Sequence, residues 1–279
     1  MREKLKFHKM QSLGNDFMVV EAITRAISLK PSQIKAWANR SRGVGFDQLL
    51  LIEPPTDPEV DFRYRIFNAD GSEAEQCGNG SRCVALLVNK LGLSHKDTLQ
   101  WQTTRGLTKT VLYLSNREVT VETHMQPPLL EWPEIPFDQC NGQGQTEIEL
   151  SSGGLSIFPI SIGNPHAVIF VNNVSEEDVV GIGEEVSHHS KFANKTNVEI
   201  CQRVNEREIA LRIYERGVGE TAACGSGAAA AFAASKILEK VTSQVRVKMP
   251  GGELSLEWEE TGSELKVVGP ATVVYSGEI

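Results

Sequence analysis

Two cysteines in this chain sit where a thiol becomes reactive. Cys77 heads the run Cys-Gly-Asn-Gly-Ser and Cys224 the run Cys-Gly-Ser-Gly-Ala, and each run opens an apolar, helix-forming segment. A cysteine at the first turn of a helix meets unpaired backbone N–H groups and the positive end of the helix dipole, which favour the thiolate. The same N–H groups can hold a carboxylate or a phosphate. Two such cysteines on either side of a substrate suit inversion of a carbon centre. A thiolate removes the proton beside a bound carboxylate, and a thiol supplies one to the opposite face, with no redox change. One base alone would return its proton to the face it came from. The reference thiol pKa of about 8.5 is close enough to neutrality for a helix start to bring it to working pH. The same dipoles stabilise charge building on the carboxylate as the carbanion forms. No P-loop or dinucleotide glycine fingerprint occurs, so no motif points to a cofactor.

The elements that must position these residues come as a repeat. RIFNADGSEAEQCGNGSRCVA (65–85) aligns without gaps on RIYERGVGETAACGSGAAAAF (212–232), each residue matching the one 147 positions later. Arg65 matches Arg212, Asn68 matches Glu215, Glu73 matches Glu220, and Gly78 and Gly80 match Gly225 and Gly227. LGNDF (13–17) resembles IGNPH (162–166) at an offset of 149. This is an internal duplication of a mixed α/β unit, so two pseudo-symmetric lobes are expected to face one another across a cleft, each offering a helix N-terminus and a cysteine. The four prolines of QPPLLEWPEIPF (126–137) break all periodicity and mark the boundary. The expected lobes are 1–125 with 270–279, and 126–269.

Within the first half, KLKFHKM, FMVVEA, LLLIE, the alternating segment 61–68, TLQWQT, TKTVLYL and REVTVET read as strands. Pro31 starts a helix to about Asn39, Gly92 closes the one after Cys77, and Ser115-Asn116 marks a turn. The second half repeats the style and ends in a meander, QVRVKM, ELSLEW and ELKVV. A helix is expected over about 176–190, with Ser175 and Asp178 as its capping box.

Net charge is −8, with no long run of Lys or Arg, which argues against nucleic-acid and anionic-membrane partners. MREKLKFHKM lacks the apolar core of a signal peptide, no run reaches spanning length, and the five cysteines are an odd number, so a reduced, cytoplasmic setting is expected. Cys83, Cys140 and Cys201 read as structural. Adjacent His188 and His189 point apart on a helix with no third ligand, which favours a solvated surface over a metal. Glu73 and Glu220 read as helix-entry caps or loop contacts. The sequence surroundings of Cys77 and Cys224 are alike, leaving open which serves which stereoisomer.

FHKMQSLGNDF, NADGSEAEQCGNGSRC, GNPHAV, NKTNVEI and YERGVGETAACGSGA, taken together and in this order, resemble diaminopimelate epimerases over nearly the whole chain. That resemblance implies an α+β fold of two lobes, each a curved, mostly antiparallel sheet around a central helix, and a homodimer. It implies a PLP-independent epimerase that interconverts LL- and meso-2,6-diaminoheptanedioate in lysine and peptidoglycan-precursor synthesis. By motif, Cys77 and Cys224 are the base and acid. Asn15, Gly78, Asn79, Gly225 and Ser226 surround the substrate. Asn68, Asn164, Asn197, Glu215 and Arg216, with Gln48, bind its distal end and carboxylates, and His166 with Glu215 assist the thiols or hold the amine. Amides, one Arg and an acid suit a doubly zwitterionic substrate. Proline or hydroxyproline racemisation, and a redox or binding protein whose cysteines pair reversibly, remain the alternatives.

Overall fold

Strands form where apolar residues recur every second position. Phe62, Tyr64 and Ile66 are buried while Arg63 and Arg65 between them are partly exposed. Phe67, expected on the outer face with those arginines, is buried instead, because that face also carries a hydrophobic cluster. The computed structural model describes residues 4–74, 77–115, 119–130, 137 and 144–279. Cys140, Asn116, Pro133 and Pro136 lie outside the described residues. The chain divides into two compact units, Met1–His124 with Val268–Ile279, and Met125–Val267.

The first unit holds β1 (Lys6–Ser12), β2 (Asn15–Glu21), α1 (Pro31–Ala38), β3 (Gln48–Glu53), β4 (Phe62–Asn68), β5 (Glu73–Ala74), α2 (Gly78–Lys90), β6 (Thr98–Thr103), β7 (Gly106–Leu114) and β8 (Val119–Met125). The second holds β9 (Thr146–Leu150), β10 (Gly153–Ser161), β11 (Pro165–Val171), α3 (Val179–Ser187), β12 (Asn197–Asn205), β13 (Glu208–Glu215), β14 (Gly219–Thr221), α4 (Gly225–Ile237), β15 (Gln244–Met249) and β16 (Gly252–Glu257). From there β17 (Leu265–Pro270) leads the chain back to the first unit, where β18 (Thr272–Glu278) pairs antiparallel with β1. Membership of this tail in the first lobe is expected from the sequence; its strand, β18, is not.

Each unit is a mixed sheet that is mostly antiparallel. In the first, β2 with β3 and β4 with β6 are the parallel pairs; in the second they are β11 with β12 and β13 with β15. β2 and β3 carry near-continuous apolar runs because both faces are covered. One face packs on α2 through Met10, Phe17, Leu50 and Val84, the other on α1 through Met18, Leu49 and Ile34. α2 touches β18 and β1 toward one end of the order of strands and β7 toward the other, so the sheet curls around the helix. α4 is enclosed in the same way by β10, β11, β12, β13, β15 and β16. Its Ala-rich turns allow close approach, and residues 228–234 are fully buried.

The duplication is visible in registers. Ile66 opposes Ala74 and Phe67 opposes Glu73; 147 residues on, Ile213 opposes Thr221 and Tyr214 opposes Glu220. Phe17 opposes Gln48 in parallel, and 149 residues on His166 opposes Asn197. Both helices run 13 residues and take a cysteine as N-cap. Both also end alike. Gly92 N–H donates to Asn89 O and Leu93 N–H to Val88 O; Glu239 N–H donates to Lys236 O and Lys240 N–H to Ser235 O. This end requires a left-handed residue, which Gly92 supplies at φ 67° and Glu239 must supply at φ 55°.

Two expected caps differ in the structure. Ser175 lies in a short 3₁₀ turn capped by Asn173, and Asp178 is itself the N-cap of α3, accepting from Gly181 N–H at 3.0 Å. A Cβ at Gly181 would collide with that carboxylate, and with Asp178 as N-cap the helix starts at Val179, three residues later than expected. His188 is then the C-cap of α3, its Nδ1 2.9 Å from Glu184 O, and His189 follows beyond the helix.

Candidate active site

In the first unit, the expected residues gather at one edge of the sheet. Asn15 opens β2, Gln48 opens β3, Asn68 closes the antiparallel β4, and Cys77 opens α2. Cys77 has extended backbone and its sulfur accepts from Gly80 N–H at 3.4 Å, satisfying one helix-start donor. Asn15 Oδ1 faces that sulfur at 3.8 Å and accepts from Asn79 Nδ2 at 3.4 Å. Gln48 Nε2 donates to Asn68 Oδ1 at 3.1 Å, and Asn68 Nδ2 to Ser72 Oγ at 3.1 Å. Gly78, in the first turn of α2, has no atom within 4 Å of where a Cβ would stand, among the described residues.

The second unit repeats the arrangement with different chemistry. Asn164 precedes β11, Asn197 opens β12, Glu215 closes β13, and Cys224 caps α4 ahead of Gly225 and Ser226. Arg216 N–H donates to Asn197 Oδ1 at 2.9 Å, its guanidinium donates to Asn194 O at 2.8 Å, and Thr221 Oγ1 donates to Glu215 Oε1 at 2.6 Å. Glu73 and Glu220 are not caps: each is held bidentate by the arginine of the preceding strand, Arg65 at 2.7–2.8 Å and Arg212 at 2.7–3.0 Å. These braces fix the loop that leads into each cysteine.

One expectation about the thiols is overturned. Cys224 is 8% exposed, and burial pushes its thiol well above the ordinary value, with Glu215 adding to the rise; the hydroxyl of Ser226, 3.4 Å away, and the Gly227 N–H oppose it. That N–H does not close a cap hydrogen bond. A helix start contributes about 0.3–1 kcal/mol, up to about 2. Full burial can move a pKa by up to about 3–5 units, at about 1.4 kcal/mol each. Burial therefore wins, and Cys224 holds its proton. Cys83 and Cys201 are also fully buried; Cys201 is pushed up to about 12, with its sulfur 3.8 Å from Ser235 Oγ.

Two buried charged residues, Glu199 and Arg82, carry no expectation from the sequence, whereas His166, which Glu199 contacts, does. His166 Nδ1 lies 2.7 Å from Glu199 Oε1, both side chains 0% exposed, and His166 Nε2 lies 3.0 Å from Asn164 Oδ1. Burial pushes the Glu199 carboxyl up, against the pull of His166. Glu199 takes the place of Leu50 149 residues earlier, and His166 that of Phe17. The positional match also holds beneath the helices: a Cβ on Gly80 would meet Leu50, and one on Gly227 would meet Glu199 Oε1 at 2.8 Å. In the first unit the buried charge is Arg82, bonded to Ser12 Oγ at 3.0 Å and to Asn79 Oδ1. A charged residue at an inward position of an apolar strand or helix was the available signal for both.

Each unit thus presents amides and a cysteine thiol around one helix start, with Arg82 buried beneath in the first and the His166–Glu199 pair in the second. Among the described residues, no group of three His, Cys, Asp or Glu side chains is placed to hold a metal ion, and no helix is long and apolar enough to cross a membrane.

The duplicated units, each a mixed and mostly antiparallel sheet curled around one helix, have counterparts among solved structures. A hydroxyproline epimerase from Agrobacterium vitis, solved with bound trans-4-hydroxy-L-proline, matches 100% of this chain and 93% of its own at 13% identity, with a TM-score of 0.75. A PhzF-family phenazine biosynthesis protein from Bacillus anthracis matches 99% of each chain at 16% identity and 0.72. A methylitaconate-delta-isomerase matches 99% of this chain and 95% of its own at 11% and 0.70. At these identities the likeness shows the fold alone. The family model for diaminopimelate epimerase matches residues 7–128 and 158–274, and the chain belongs to that family.

Proposed function

We propose that the protein interconverts LL- and meso-2,6-diaminoheptanedioate without a cofactor, by a two-base mechanism in which Cys77 and Cys224 exchange the roles of thiolate and thiol. The observation that carries this reading is the pair of N-cap cysteines at equivalent positions of two 13-residue helices, in a chain of the diaminopimelate epimerase family. The N–H groups of Gly78, Asn79, Gly225 and Ser226 would hold the reacting carboxylate. Asn15, Gln48, Asn68, Asn164, Asn197 and Arg216 would take the distal end, and Glu215 and His166 the ammonium groups. The reaction belongs to lysine and peptidoglycan-precursor synthesis, in the cytoplasm, and the working form is a homodimer.

Solvent deuterium should enter Cα of diaminopimelate as its stereochemistry inverts. Cys77→Ala and Cys224→Ala should each abolish inversion. Near wild-type epimerisation by Cys224→Ala would sink the two-base assignment. Faster exchange on proline or 4-hydroxyproline in a parallel assay would move the substrate assignment to the racemase alternative.

A further inference from the structure

We infer that Thr221 is a positioning residue for Glu215: its hydroxyl fastens one oxygen of that carboxylate and leaves the other to take an ammonium group of the substrate. This role rests on the reading of Glu215 given above.

Glu215 is the last residue of β13, and the chain turns straight back, with Val218 N–H donating to Glu215 O at 3.0 Å. In the returning strand β14, Gly219 stands opposite Glu215 and Thr221 opposite Ile213. Residues two apart on a strand share a face, and a diagonal neighbour across the pair is within reach of a long side chain. The Glu215 side chain therefore lies back over Gly219, which offers no side chain of its own, toward Thr221. There Thr221 Oγ1 donates to Glu215 Oε1 at 2.6 Å, a charge-assisted hydrogen bond, and Oε2 accepts no hydrogen bond among the described residues. Thr221 is itself held. Its β-branched side chain is stiff at χ1, its neighbour Glu220 is gripped by Arg212 at 2.7 and 3.0 Å, and Gly251 N–H donates to Ala222 O at 2.8 Å just beyond it. The carboxylate so placed is near enough to Cys224 to add to the rise of its thiol.

In the first unit the hydroxyl sits elsewhere, because the group to be held is different. The brace is the same, Arg65 on Glu73, and so is the turn, with Gly71 N–H donating to Asn68 O at 2.9 Å. But β4 ends in Asn68 where β13 ends in Glu215. Ser72, which matches Gly219, receives Asn68 Nδ2 at 3.1 Å, and Ala74 stands where Thr221 does. The short amide donor finds a hydroxyl acceptor on the nearer residue, and the longer carboxylate finds a hydroxyl donor two residues further on. Two positions have thus exchanged which one carries the hydroxyl, in step with the side chain at the strand's end. A hydroxyl that served the hairpin alone needs no such match.

The test is a double-mutant cycle read two ways in Cys77→Ala protein, which on the two-base reading binds substrate without inverting it. Calorimetric binding of diaminopimelate should weaken about 10- to 100-fold in Thr221→Val, the range for a lost hydrogen bond to a charged group. Thr221→Ser, which keeps the hydroxyl, should stay within about threefold of its parent. Thr221→Ala, which copies the first unit, should match Thr221→Val and replaces it if that variant does not fold. In a Glu215→Gln background, Thr221→Val should weaken binding by about threefold or less. Without substrate, iodoacetamide labelling of Cys224 at about pH 8.5, read by peptide mass spectrometry, tracks the thiolate fraction. It should quicken in Glu215→Gln, where the repelling charge is gone, and in Thr221→Val, where the freed carboxylate swings away; Thr221→Ser should label at the parent rate. Unchanged binding and labelling in Thr221→Val, or equal losses with and without the Glu215 carboxylate, overturn the role of Thr221. A wrong substrate assignment shows differently: diaminopimelate neither binds nor exchanges its Cα hydrogen, while labelling of Cys224 still follows the Glu215–Thr221 pattern.

Discussion

The His166–Glu199 pair can be exchanged for the residues that the first unit uses at the same positions. Phe17 and Leu50 are both 0% exposed and pack under α2 as His166 and Glu199 lie under α4. His166→Phe alone leaves a buried carboxylate without its partner. Glu199→Leu alone leaves the imidazole Nδ1 unsatisfied. Breaking one side of a buried pair costs about 3–5 kcal/mol, whereas replacing both by well-packed apolar groups is often neutral or stabilising by about 1–4 kcal/mol. Additive losses would destabilise the double variant by about 6–10 kcal/mol, twice the single cost. We expect it within about 1 kcal/mol of wild type, or above it, a coupling of about 5 kcal/mol or more. Urea unfolding of the four proteins, with m values compared, measures the cycle. A double variant as unstable as the sum of the singles would refute the view that the pair is a polar replacement for an apolar contact. All three variants should lose Cα exchange, so a stable and inactive double variant would show that the pair serves the reaction and not the fold.

Two further outcomes are expected. Glu239→Gly should raise stability in thermal melts by about 0.5–1 kcal/mol, since it gives α4 the C-terminal residue that α2 already has in Gly92. Burial opposes the ionisation of Asp16, but hydrogen bonds from Arg40 and Lys9 outweigh it and hold its carboxyl well below the usual range. A lowered folded-state pKa stabilises above the unfolded value of about 3.9 and is lost as pH falls below it. Melting temperatures of wild type and Asp16→Asn should therefore differ at pH 7 and converge toward pH 2; a constant gap would contradict the assignment.

The parts of the molecule legible in the sequence are those written in local chemistry. Cys-Gly-x-Gly at a helix start, the alternation of 62–66 and the constant spacing of 147 each depend on neighbours along the chain, and the structure repeats them residue by residue. What stayed hidden depends on contacts far apart in sequence. Nothing around Glu199 reveals that His166, 33 residues earlier, is there to share a proton. At Cys224 the helix start favours the thiolate, but burial, which no local spacing reveals, is the larger effect. Glu73 and Glu220 were recognised as a repeated feature, but an arginine eight residues back claims each one and leaves none for the helix. Ser175 caps nothing because it lies inside the 3₁₀ turn, its own N–H donating to Asn173, while Asp178 takes the Gly181 N–H at the start of α3.

The antiparallel match of β18 with β1 has a consequence for synthesis. Ala271 and Val273 complete the cluster that includes Met10 and Val84, and Leu5 and Ile279 exchange backbone hydrogen bonds at 2.9 Å. On the ribosome, the first unit therefore waits, one strand short, while the whole of the second unit is translated. The lobe that begins first is finished last, and the uncovered edge of β1 during that interval is a natural place for a chaperone to bind or for newly made chains to pair wrongly.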